Sequence, residues 1–322
     1  MAVLSASIRR KLQHFLLFVF AVISVFGCNQ ITPQNISNLS FQQLSVECKI
    51  VQHAMGESCI PLNPKRIVII DRFNFDNALA LGIKPVGTVR SQAYLVPYLR
   101  GKMNGIELIT NIDGHPNLEK ILLLKPDLII GLSSPSYRSI YKQLSKIAST
   151  VLLPWGKEAY IWKHNLENLA GLLDKQEEAN QVLHNYTHRV TELRQTLDSQ
   201  SQQRSASFAL FYPGGFSLYR KDSFSGNILT DVGLKTTDPG ISELPLSEEI
   251  LPEIDDDALF IGGLTEDDKF RLEQLQKKPL WFQIKAVKQN QVYLVNAAVW
   301  HGYNMLAAHA VLDDLEKYLL NR

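Results

Sequence analysis

The sequence predicts an α/β protein: two Rossmann-like α/β lobes with mainly parallel sheets, joined by a long rigid α-helix, with a cleft between them. Three observations carry this. Short β-branched runs alternate with helical segments in both halves of the chain. A stretch over 158–199 breaks that rhythm with no proline and one glycine, Gly171. Segments of the first half then recur in the same order in the second.

Composition sets the outer bounds. The 322 residues are 45% hydrophobic and 20% charged, with 33 basic against 32 acidic side chains and a formal net charge of +1. That is ordinary globular usage, long enough for two cores, and it argues against disorder or a polytopic membrane protein. The even balance offers no basic face for nucleic acid.

The chain opens with Arg9, Arg10 and Lys11 ahead of the apolar run Phe15–Phe26. Twelve residues are too few for a hydrocarbon core of about 30 Å, which takes roughly 20 in a helix. A basic start, a short apolar run and a small residue describe a secretory leader over 1–27. The run closes as Val25-Phe26-Gly27-Cys28, which resembles a bacterial lipobox with Cys28 as the acylated first residue. Phe26 is bulkier than that pattern favours, and plain secretion with a cut nearby is the competing reading. Residues 28–43, rich in Asn and Gln, form a flexible tether. The mature chain is then held to a membrane without spanning it.

Cys48 and Cys59 flank a segment that reads as strand, Gly56 turn, strand. In an exported chain such a pair predicts a disulfide. The alternative is a metal site, but no third and fourth ligand sits nearby. Arg66–Asp71 is a buried strand, 73–82 a helix ending at Gly82, and 84–90 the next strand. Leu118–Leu124 reads as a helix stopped before Pro126, Asp127–Gly131 as a strand, 136–147 as a helix and Thr150–Leu153 as a strand. These make a first lobe over 44–154.

Linking helices follow over 155–203. Trp162, Leu166, Leu169 and Leu173 share one helical face; Val182, Leu183, Tyr186, Val190, Leu193 and Leu197 share another. The second lobe, 204–322, begins with the strand Phe208–Tyr212. Leu81-Gly-Ile-Lys84 recurs as Val232-Gly-Leu-Lys235, and Leu118–Ile130 recurs as Glu248–Phe260, each a helix with a leading glutamate running into an aspartate and an apolar strand. Chance reuse of α/β patterns competes with a diverged duplication, and two echoes in order favour the duplication.

This order of parts resembles the substrate-binding lipoproteins of ABC importers whose lobes are joined by a rigid helix. The residues that carry the likeness are Pro64–Ile69, Ala80–Gly87, Asn117–Gly131 and Pro245–Leu251, over roughly 44–320. The resemblance implies a carrier for a ferric siderophore, haem or cobalamin, and the hairpin His53–Gly56 before the first strand favours the siderophore members. It implies a monomer facing the periplasm or cell surface, lipid-anchored, serving an ABC permease and its ATPase, with no catalytic activity. It also implies one acidic docking residue per lobe. By position these are Glu119 and Glu249, with Glu248 the rival of the latter; solvated first-turn glutamates are the plainer reading.

Ligands of open α/β sheets sit beyond the carboxyl ends of the strands. Those positions hold Arg72, then Arg90 and Tyr94, then Arg138, with Trp155 at the entry to the linking helices. In the second half they hold Tyr212, Tyr219 and Arg220, and then Trp300, His301 and Tyr303 ahead of the last helix. Guanidinium forks donate in pairs to the oxygens around a chelated ferric ion, and flat rings cover the chelator backbone. The iron stays in its chelator, so the site calls for no cofactor and no protein metal ligands. Each arginine has a surface reading, and Trp155, Tyr219 and Trp300 a core reading.

His184 and His188 have metal-pair spacing but fall about 150–170° from the apolar face of their helix, toward water. His309 reads as a satisfied core histidine. No GxSxG, P-loop, HExxH or spaced GxGxxG motif occurs, and the anchored surface enzyme is left as the rival class.

Overall fold

The structure, a computed structural model, describes residues 47–89, 96–111, 114–154, 162–199, 204–212, 215–237, 246–263 and 266–320. The leader, Cys28, the tether, Arg90, Tyr94 and Trp155 lie outside these residues.

The first element is a hairpin of β1 (Cys48–His53) and β2 (Gly56–Pro61), turned at Gly56, whose φ of +113° suits only glycine. Antiparallel pairing brings the Cα atoms of Cys48 and Cys59 to 5.6 Å, and the two form a disulfide. Ala54 N–H donates to Leu152 O at 3.0 Å and Ser58 Oγ donates to Thr150 O at 3.0 Å, which lays the hairpin on the first sheet. Replacing both cysteines by serine should lower unfolding stability by ~3 kcal/mol in the chain-entropy model. Coincident urea curves for variant and parent would contradict this.

Five short strands make the first sheet: β3 (Ile67–Ile69), β4 (Gly87–Thr88), β5 (Glu107–Leu108), β6 (Leu128–Leu132) and β7 (Ser149–Leu153). Their order is β5-β4-β3-β6-β7 and every pair is parallel. The strand expected over 84–90 shrinks to two residues, because Pro85 brings no N–H to the ladder. Parallel strands need crossovers: α1 (Arg72–Ala80) joins β3 to β4, α2 (Leu118–Leu123) joins β5 to β6 and α3 (Pro135–Leu144) joins β6 to β7. Ile67, Ile69, Leu128 and Ile130 face one side of the sheet; Val68, Ile70, Ile129 and Leu152 face the other with Ile121 and Leu144.

The connection is two helices, α4 (Trp162–Leu173) and α5 (Gln176–Asp198), which carry the two apolar faces the sequence separates. Asp174, at φ +54°, breaks them apart, and its carboxylate meets Lys49 Nζ at 2.6 Å. The 23 residues of α5 span about 35 Å. Tyr186, Val190, Leu193 and Leu197 are buried along it, while His184 and His188 face water.

A second sheet follows from β8 (Ala206–Tyr212), β9 (Gly215–Leu218), β10 (Ala258–Gly263) and β11 (Val292–Leu294), in the order β11-β10-β8-β9 with β9 antiparallel. Its helices are α6 (Phe224–Asp231), α7 (Glu266–Leu275), α8 (Lys285–Lys288), α9 (Ala297–Trp300) and α10 (Met305–Leu315). The echo of β6 is β10. The turn ahead of it, Glu248–Glu253, is a 3₁₀ helix and not the α-helix of the first copy, since Pro252 removes a donor.

One hydrophobic core runs through both lobes. It joins Ile67, Ile69 and Phe75 of the first sheet layer to Trp162 and Tyr186 of the linking helices, and on to Phe208, Phe224, Phe260 and the α10 residues Val311 and Leu315. Packed interiors resist shear, so a shared core joins the two halves stiffly. Among the described residues no helix is long and apolar enough to cross a membrane.

Candidate ligand-binding site

The chain end of β3 leads straight into a helix cap. Asp71 accepts from Phe73 N–H at 3.0 Å, Asn74 N–H at 2.8 Å and the Asn74 side-chain amide at 2.9 Å, which starts α1 at Arg72. Arg72 is thereby held at the first helical position, half-buried, its guanidinium 4.6 Å from the Phe73 ring centroid. Its Nη2 lies 3.5 Å from the carbonyl of His301, which belongs to the other lobe.

That carbonyl sits in the loop between α9 and α10. Tyr219, just past β9, places its hydroxyl 2.6 Å from His301 Nδ1. Tyr303 meets His301 edge-on at 4.9 Å, Phe73 edge-on at 5.9 Å and Phe224 at 5.3 Å. Gly302 is required here: a Cβ on it would come within 2.1 Å of Ala307 Cβ. The lobes therefore meet in a cluster of one guanidinium, one imidazole and four further rings. Arg220 stands half-buried at the end of the same β9 segment, its Nε 3.4 Å from Asp222 Oδ1.

Electrostatics make this cluster cationic without a charged histidine. Burial, then the Arg72 charge, drives the His301 pKa from 6.5 down to about 4. Burial pushes the Tyr303 phenol up, so it keeps its proton and can donate. Asp71, wholly buried, has its pKa pushed from 3.8 up to about 6, first by burial. The folded chain thus holds that proton more tightly than the unfolded chain does. The resulting stability, ~3 kcal/mol, is present below pH 3.8 and is lost as pH rises through about 6. In Asp71→Asn this fall should vanish from a pH series of urea midpoints. A profile identical to the parent's would contradict the burial argument.

Of the residues chosen from sequence, the structure brings Arg72, Tyr219 and Tyr303 together, with Arg220 on the segment beside them. Arg138 is exposed on α3 and does not join this cluster. Tyr212 ends β8, paired with Gly215, and is described in its backbone only. Trp300 is corrected: it is fully buried, stacked on Phe260 at 4.4 Å, with its indole N–H donating to Asp314 Oδ2 at 2.8 Å. It belongs to the core and not to the cleft surface, because β10 and α10 close over it. Arg90, Tyr94 and Trp155 fall outside the described residues. Phe73 is the addition; His301, read from the sequence with Trp300 and Tyr303 ahead of the last helix, lies in the cluster. The sequence signal for His301 is the Gly302-Tyr303-Asn304 break between two helices, which forces the preceding side chain into the junction.

Glu119 is exposed in the first turn of α2, capped by Asn117, on the rim of a concavity of about 600 Å³ lined by His115, Ser136, Ser139 and Ile140. Glu248 is ion-paired with Lys278, whereas Glu249 is exposed. Among the described residues no group of three His, Cys, Asp or Glu side chains could hold a metal ion.

Two α/β lobes sharing a core, with cationic and aromatic groups gathered where they meet, define a solute-binding protein. The model of the periplasmic binding protein family matches residues 67–299, and the chain belongs to that family. It is 33% identical to the probable siderophore-binding lipoprotein YfiY of Bacillus subtilis, over 97% of this chain and 99% of the relative. It is 31% identical to the achromobactin-binding periplasmic protein of Dickeya dadantii, over 79% of this chain and 86% of that one. Among solved structures, SirA of Staphylococcus aureus complexed with staphyloferrin B is similar at a TM-score of 0.72 and 28% identity, covering 84% of this chain and 98% of SirA.

Proposed function

We propose that this chain is the substrate-binding component of an ABC importer, taking a ferric siderophore at the junction of its lobes and delivering it to a membrane permease driven by an ATPase. The observation that carries the reading is the junction itself. Arg72 from one lobe and Tyr219, His301 and Tyr303 from the other gather there, with Arg220 beside them. Two guanidinium groups and neutral hydrogen-bond donors suit an oxygen-rich, partly anionic complex whose iron is already fully chelated. The siderophores named for the relatives point the same way.

In this reading residues 1–27 are a leader, Cys28 carries the lipid anchor, 28–43 are the tether, and 44–154 and 204–322 are lobes about the linker 155–203. Arg90, Tyr94, Arg138, Trp155 and Tyr212 complete the ligand surface. Glu119 and Glu249 dock on basic sockets of the permease, one like charge per lobe fixing the orientation. The protein acts as a monomer at the periplasmic or outer face of a bacterial membrane. Equilibrium dialysis of the mature chain against radio-iron loaded on staphyloferrin B, achromobactin or citrate tests it. Retention of iron and chelator together is expected. Retention of iron alone, or of neither, would contradict it.

A further inference from the structure

A buried polar contact crosses the junction directly beneath the ligand cluster. Asn304 is 1% exposed, and its side chain makes three hydrogen bonds. Its Oδ1 accepts from Ala307 N–H at 2.9 Å, which caps α10. Its Nδ2 donates to Gly302 O at 2.9 Å, within its own loop, and to Asp76 Oδ2 at 3.1 Å, in α1 of the first lobe. Asp76, also 1% exposed, accepts from the Tyr98 hydroxyl at 2.8 Å. Beside this pair Met305 N–H donates to Asn77 Oδ1 at 3.2 Å, a second bond between the same two helices.

Helix α1 has little apolar asymmetry: Asn74, Asp76 and Asn77 are buried along with Phe75 and Ala78. An apolar contact between helices tolerates sliding, but a donor set between two fixed acceptors is satisfied in one register only. Tyr303, immediately before Asn304, lies at φ +52°, a left-handed conformation that a bulky side chain adopts only where its surroundings hold it. The loop carrying His301 and Tyr303 is therefore fixed at one end by the amide of Asn304.

We propose that Asn304, through Asp76, is a positioning residue: it sets the register of the two lobes and, with it, the placement of His301 and Tyr303 against Arg72. The ligand arm of this proposal rests on the function proposed above; the structural arm does not. Asn304→Asp keeps the cap on Ala307 but removes both donations, to Asp76 Oδ2 and to Gly302 O. Combining it with Asp76→Asn restores the bond between the lobes with donor and acceptor exchanged, and leaves the bond to Gly302 O broken.

The test is amide hydrogen exchange on the parent, N304D and the N304D/D76N double variant, with titration of each by the ferric complex of staphyloferrin B. In N304D the Met305 amide should exchange at least 10-fold faster while the Ala307 amide stays protected, and affinity should fall about 10-fold. The double variant should recover the Met305 protection and part of the affinity, since the bond to Gly302 O stays broken. Unchanged Met305 exchange in N304D overturns the proposal. If N304D does not fold, a folded double variant with parental Met305 exchange supports it, and a folded double variant whose Met305 amide still exchanges fast overturns it. A parent that does not bind this complex speaks only to the choice of siderophore, because the exchange result still decides the role of Asn304.

Discussion

Charge reversal at Glu119 should abolish ligand import by cells while leaving the affinity of the isolated protein unchanged. Glu119 is exposed on the first turn of α2 and is none of the residues that meet at the junction of the lobes. In the docking proposed above, its substitution to lysine sets like charges together, and such juxtapositions cost several kcal/mol. Uptake of a radio-iron siderophore should fall to the level of a strain lacking the protein. Asn117 still caps the helix, so the melting temperature should stay within a degree or two of the parent's. Glu249→Lys should act in the same direction, whereas Glu248→Gln should break only the ion pair with Lys278. Loss of ligand affinity in Glu119→Lys would contradict the separation of docking from binding.

Removing the Arg72 guanidinium should weaken binding of the ferric complex by 30-fold or more, about 2 kcal/mol, the scale of a charge-assisted hydrogen bond. Arg72 is held by the Asp71 cap and lies over Phe73, so truncation to alanine leaves the helix start intact. Arg72→Lys should recover little, since an ammonium lacks the planar fork. A second effect checks the geometry without any ligand. The Arg72 charge helps hold the His301 pKa down, so Arg72→Ala should raise it from about 4 toward its ordinary range. An NMR titration of the imidazole reads this directly, and an unmoved pKa would place the guanidinium elsewhere.

Much of the fold was legible because burial leaves a periodic trace. The alternation of Ile67 and Ile69 with Val68 and Ile70 serves two faces of one buried sheet, and β-branched runs of that kind have few other uses. The face of α5 through Tyr186, Val190 and Leu193 was equally plain. What failed to show were features set by single residues or by distant partners. Pro252 turns an expected helix into a 3₁₀ segment. Arg72, Tyr219 and Tyr303 were visible because strand and helix ends point at the junction. Trp300 looked the same in sequence, yet Phe208, Phe260 and Asp314 enclose it. The Asp76–Asn304 contact joins residues 228 positions apart, and no local pattern announces it.

Tryptophan fluorescence offers the most direct test of capture between the lobes, since Trp300 lies immediately before His301 in the chain. The mature protein is titrated with ferric hydroxamate, catecholate and carboxylate siderophores, their iron-free chelators, haem and cobalamin. At least one ferric siderophore should quench with half-saturation below about 10 µM, some 7 kcal/mol of binding, and its iron-free form should bind more weakly. Saturation by haem or cobalamin alone, or by none of these, would contradict the account.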